Sequence, residues 1–94
     1  MTHTNELTLI VKPGCHLCEE AEAVVTRVLA EFAAEQPGIP VVLKFKNILD
    51  DSELMARYSE EIPVLLINGR VHNYWRIDPE RLRLALAALS DGSA

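Results

Sequence analysis

Leu7-Thr8-Leu9-Ile10-Val11-Lys12-Pro13-Gly14-Cys15-His16-Leu17-Cys18 decides the fold of this chain. Leu7–Val11 is a short run of β-branched and apolar residues, the pattern of a buried strand. Pro13-Gly14 breaks it. From Leu17 onward, Ala21, Val24, Val25, Val28, Leu29 and Phe32 recur at steps of three and four, which makes one apolar helix face. Cys15 and Cys18 are the only cysteines, and they fall where strand gives way to helix. That placement has a chemical reason. One sulfur attacks a disulfide, and the other lies near enough to resolve the mixed disulfide within the same molecule.

Working outward, Gln36-Pro37-Gly38-Ile39-Pro40 ends the first helix, because proline cannot continue it and glycine suits a helix terminus. Val41–Lys46 forms a second strand, with Lys44 and Lys46 alternating as on a solvated sheet edge. Asp50-Asp51-Ser52 offers N-cap chemistry for a short helix to about Tyr58. Pro63 opens a third strand, Val64–Ile67. Asn68-Gly69 then predicts a two-residue hairpin turn into a returning strand, Val71–Arg76. Tyr74 and Trp75, adjacent on that strand, are expected to face opposite sides, one into the core and one outward as a candidate partner contact. Asp78 caps the last helix, Pro79 occupies its first position, and Leu82, Ala85, Leu86 and Leu89 form its apolar face. Residues Ser90–Ala94 are expected to fray. The order β-α-β-α-β-β-α predicts an α/β fold: one mixed four-stranded sheet flanked by helices, in a single domain over 1–94 with an ordered core from about 6 to 90.

The bulk composition excludes several functions. The chain has 94 residues, is 49% hydrophobic and carries a formal charge of −5. A nucleic-acid partner is not expected, since no basic patch is present to neutralise phosphates. No run of apolar residues is long enough to span a bilayer. Met1–Glu6 has neither a cationic segment nor an apolar signal core, so a cytoplasmic location is expected. A structural disulfide is uncommon there, and the ring closed by Cys15 and Cys18 is too small to constrain the unfolded chain much. Redox chemistry is the better reading of the pair. Three scattered histidines, His3, His16 and His72, add no metal-ligand spacing to it. His3 falls in the N-terminal tail, and His72 reads as a surface strand residue.

The joint pattern of Lys12-Pro13-Gly14-Cys15-His16-Leu17-Cys18, Leu54-Met55-Ala56-Arg57-Tyr58 and Ile62-Pro63-Val64-Leu65-Leu66-Ile67-Asn68-Gly69 resembles the thioredoxin fold. In detail it is most similar to the small bacterial glutaredoxin-like proteins. The resemblance implies a thiol-disulfide oxidoreductase with Cys15 as nucleophile and Cys18 as resolving thiol. It implies that Pro63 is a cis-proline facing the cysteines and that the backbone of Ile62 binds an extended substrate. Lys12 would hold a glutathione carboxylate. Apart from the resemblance, His16 in the first helical turn either assists electrostatically when protonated or points to solvent. Arg76 would lie within reach of an anionic substrate. Tyr58 reads as packing. Partners would be a disulfide-containing protein or a glutathione mixed disulfide, with a thiol reductant or reductase to reset a monomeric enzyme.

No permanent cofactor is implied, and glutathione is a candidate reductant. The departures weaken that candidate. Gly14 stands where thioredoxins place tryptophan, Leu7–Val11 holds no carboxylate, and Arg76-Ile77-Asp78-Pro79 replaces the glycine pair common in glutaredoxins. The alternative function is a binding module or an iron–sulfur cluster carrier that pools Cys15 from two chains.

Overall fold

The computed structural model describes residues 4–91; His3 and the last three residues of the expected frayed end lie outside them. Four strands and three helices run β1 (Asn5–Val11), α1 (His16–Glu35), β2 (Val41–Asn47), α2 (Ser52–Tyr58), β3 (Val64–Ile67), β4 (Arg70–Tyr74) and α3 (Pro79–Asp91). A 3-10 turn over Ile48–Asp50 precedes α2. The sheet order is β2-β1-β3-β4. β1 and β2 are parallel, whereas β3 is antiparallel to both β1 and β4. This is the expected mixed sheet, with the lysine-bearing strand at its edge. Lys44 is exposed there and reaches Glu6 on β1 across 3.3 Å.

The alternation of β1 divides the core in two. Leu7 and Leu9 face α1 and α3, and pack with Ala21, Val25, Val28, Phe32, Leu82 and Leu86. Ile10 points the other way, into a second cluster with Ile48, Tyr58, Ile62, Val64 and Cys18. Helices therefore cover both faces of the sheet, α1 and α3 on one and α2 on the other. The apolar faces expected for α1 and α3 are the buried ones. Tyr58 is packing, as expected. Asn68 (φ 51°) and Gly69 (φ 84°) both take left-handed backbone, which is the two-residue turn that matches the twist of the β3–β4 hairpin. Among the described residues, no helix is long and apolar enough to cross a membrane.

Three expectations are corrected. The returning strand stops at Tyr74, so Trp75 is not a strand residue. Tyr74 and Trp75 do not divide between core and solvent: they are 39% and 53% exposed, with ring centroids 6.3 Å apart. The cause is local. Trp75 has φ 57°, and this left-handed backbone breaks the strand alternation. Such a conformation costs a non-glycine residue about 1–2 kcal/mol, which here is offset by hydrogen bonds described below. At the other end of the chain, α3 continues through Ser90 and Asp91 rather than fraying at Ser90.

Candidate active site

Strand β1 carries the chain to Val11, and Pro13-Gly14 turns it. Gly14 sits at φ 76°, a left-handed position that favours glycine. The turn delivers Cys15 as the N-cap of α1, in extended backbone. Its sulfur takes the place of the usual capping oxygen and accepts the backbone N–H of Cys18 at 3.1 Å. The carbonyl of Cys15 accepts from Glu19 N at 3.1 Å, the first bond of the helix ladder. The sulfur thus lies at the N-terminal end of α1, hydrogen-bonded to a backbone N–H of its first turn.

The two cysteines, both free thiols, differ in surroundings. Cys15 is half-buried, while Cys18 is only 4% exposed. One helical turn carries Cys18 inward, against Ile10, Ile62 and Val64. Its thiol is pushed up to about 11 by burial and by its hydrogen bond to Cys15; a backbone hydrogen bond from Lys12 works in the opposite direction. Cys18 is thus held as a neutral thiol beside a more accessible partner sulfur.

Of the other residues expected at the site, Ile62 packs in the cluster that holds Cys18 and that Cys15 packs against. The Ile62–Pro63 bond is cis, and Pro63 is fully buried. Lys12 is exposed at the end of β1 and touches the pair through its backbone. His16 is exposed at the first position of α1.

The start of α3 bears on anion binding. Asp78 Oδ1 accepts the N–H groups of Glu80 (2.9 Å) and Arg81 (3.3 Å), and Pro79, which directly follows Asp78, has none. The N–H of Asp78 donates to Asn73 Oδ1 at 3.1 Å. The donors of this first turn are therefore already engaged. Among the described residues, no group of three or more His, Cys, Asp or Glu side chains is gathered to hold a metal ion.

Sequence reasoning missed the tie between Trp75 and the loop before β3. Trp75 N donates to Pro63 O at 2.8 Å, and its indole Nε1 donates to Glu60 O at 3.2 Å. The β4–α3 turn is thereby fastened to the segment that borders the cysteines. Trp75 takes left-handed backbone where it makes these bonds, and no local sequence signal announces it.

A family model described as Glutaredoxin-like domain (DUF836) matches residues 6–87. An uncharacterized protein of Mycobacterium tuberculosis (strain ATCC 25618 / H37Rv) is 27% identical over 88 residues, covering 94% of this chain and 89% of its own. The X-ray structure of a structural-genomics target protein from X. campestris is 29% identical, with a TM-score of 0.67 and coverage of 87% of this chain and 96% of that one. Thioredoxin-2 of the malaria parasite, a component of its protein secretion machinery, superimposes with a TM-score of 0.64 over 94% of this chain and 85% of its own. At 14% identity it shows the shared thioredoxin fold alone.

Proposed function

The chain belongs to the glutaredoxin-like domain family, and from that premise we propose that it is a dithiol-disulfide oxidoreductase whose attacking sulfur is Cys15. The observation that carries this reading is the inequality of the two sulfurs. Cys15 caps α1, is half-buried and accepts the N–H of Cys18, while Cys18 lies behind it as a buried thiol.

The reaction follows from that inequality. The Cys15 thiolate attacks one sulfur of a substrate disulfide. A Cys15–substrate bond forms, the substrate S–S bond breaks, and the expelled thiolate takes up a proton. The Cys18 sulfur then gives up its proton and attacks the Cys15 sulfur. The Cys15–Cys18 bond forms, the mixed disulfide breaks, and the second substrate thiolate leaves and is protonated. Two electrons pass from the cysteine pair to the substrate, and of the two protons Cys18 gives up one and solvent supplies the other. An external thiol or dithiol returns them. Ile62 and Pro63, beside the pair, serve as the backbone edge along which the substrate chain lies. Lys12 supplies positive charge near the attacking sulfur, and His16 adds to it only when protonated. A reducing compartment such as the cytoplasm keeps the pair in its active state.

Glutathione is a poor fit as the dedicated reductant. The first-turn N–H groups of α3 are occupied by Asp78, and the formal charge of −5 opposes an anionic tripeptide. The test is a disulfide-reduction assay run in parallel with glutathione plus its reductase and with thioredoxin reductase. Cys15-dependent turnover in either system supports the reading. Absence of turnover in both, together with no mixed disulfide on a Cys18→Ser variant, contradicts it.

A further inference from the structure

We infer that Trp75, with Tyr74 beside it, is the substrate-recognition element of this site, and that it selects polypeptide disulfides bearing an apolar or aromatic side chain next to the bridge. The inference deepens the oxidoreductase reading and rests on it. Its starting point is a conflict. A bulky side chain at φ 57° is disfavoured, and glycine would take that position without strain. Trp75 is nevertheless held there, and not by burial, since 53% of it is exposed. Strained backbone persists where the surroundings over-determine it, and such positions gather at binding and catalytic sites.

What over-determines Trp75 is its pair of hydrogen bonds. Its amide is bound to Pro63 O and its indole N–H to Glu60 O, so the indole spans the segment leading into β3. The residue between those anchors that packs with the cysteines is Ile62. The indole is therefore tied to the segment that borders the site where the substrate disulfide must lie. Tyr74, 39% exposed and inclined at 49° to the indole, widens the same aromatic surface. Both polar ends of the indole residue are satisfied, so what remains on offer to a ligand is ring. An apolar or aromatic side chain laid on such a ring removes water from both and gains a preferred ring geometry.

The charges beside the ring are of both signs, Glu60 and Glu61 in the segment the indole spans and Arg76 next to Trp75, so the uncharged ring rather than net charge sets the occupant. A polypeptide substrate brings an uncharged side chain to the ring and an extended backbone to the segment at Ile62. The recognition is thus for the residue flanking the substrate cysteine.

The experiment uses single turnover, which needs no reductase. Pre-reduced protein is oxidised by two symmetric peptide disulfides that differ only in having Phe or Ala beside the cysteine, and the rate of Cys15–Cys18 disulfide formation is read. The wild type should prefer the Phe peptide by about tenfold. Trp75→Gly, which accepts the left-handed backbone, should bring the ratio to about one, and Trp75→Phe should keep most of it. No preference in the wild type, or preference intact in Trp75→Gly, overturns the inference.

Because Trp75 is the only tryptophan in the sequence, docking is also visible without exchange. Titrating the reduced Phe peptide onto Cys15→Ser protein should shift the tryptophan fluorescence. A shift without exchange in the wild type supports the docking surface and removes the oxidoreductase reading. Exchange with neither preference nor shift removes the docking surface and leaves that reading standing.

Discussion

The backbone N–H of Cys18 donates to the sulfur of Cys15 across 3.1 Å. Helix α1 thus begins on a sulfur instead of a hydroxyl or carboxylate, and the same bond fixes the two cysteines at the spacing that intramolecular resolution needs. Local structure and chemistry are one feature here. Whatever stabilises the cap also aims the nucleophile.

The raised Cys18 thiol makes stability depend on pH at the alkaline end. In the unfolded chain this thiol loses its proton near 9.0, whereas the folded chain keeps it to about 11. The stabilisation is fully present below the unfolded value and is lost as pH rises through the folded one. Urea unfolding of reduced protein across that window should show the fall, and the Cys18→Ala variant should show a smaller one.

His72 predicts an effect at the acid end. Burial first, and then the charge of Arg81, lower its ionisation below 6.5, with Asp78 opposing. Its Nε2 is enclosed and makes no hydrogen bond to the described protein groups. As pH falls below the ordinary value, the unfolded chain takes up the proton first, so stability present above 6.5 is lost as pH drops through the folded value. A His72→Leu variant should have a flatter acid limb in the same unfolding measurement. An unchanged limb would assign acid sensitivity to other groups.

Asp78 holds the start of α3 by accepting two N–H groups. Asp78→Ala should cost about 1 kcal/mol of unfolding free energy, the usual loss for a helix cap. Glutathione-driven turnover should be weak in the wild type. Fast turnover with glutathione alone, abolished by Lys12→Ala, would show that an anion site exists despite the occupied cap.

The cysteine pair, the hairpin and both long helices were legible in the sequence because each rests on short-range patterns, whereas the cis bond at Pro63 came from the family resemblance. Asn68-Gly69 and Asp78-Pro79 carry their backbone preferences with them. The misread residues depend on contacts distant in sequence. Trp75 looks like a strand residue by propensity, yet the carbonyls of Glu60 and Pro63 hold it in left-handed backbone. Beside it, the β3–β4 register shifts between Leu65 and Leu66, and the extra residue of β4 lies at His72. Strand β1 starts at Asn5, two residues before the apolar run, because Asn5 N binds Pro40 O and its side chain receives Asn68 Nδ2. Ile48, 1% exposed, enters the core through the 3-10 turn that Asn47 caps, a short signal hidden behind the more obvious Asp51.

The central claim is the inequality of Cys15 and Cys18, and a brief iodoacetamide pulse on reduced native protein near neutral pH tests it most directly. Peptide mass spectrometry then locates the label. The account predicts carbamidomethylation of Cys15 with Cys18 left as a thiol, because Cys18 is buried and its ionisation lies near 11. Equal labelling of the two residues, or faster labelling of Cys18, would contradict it.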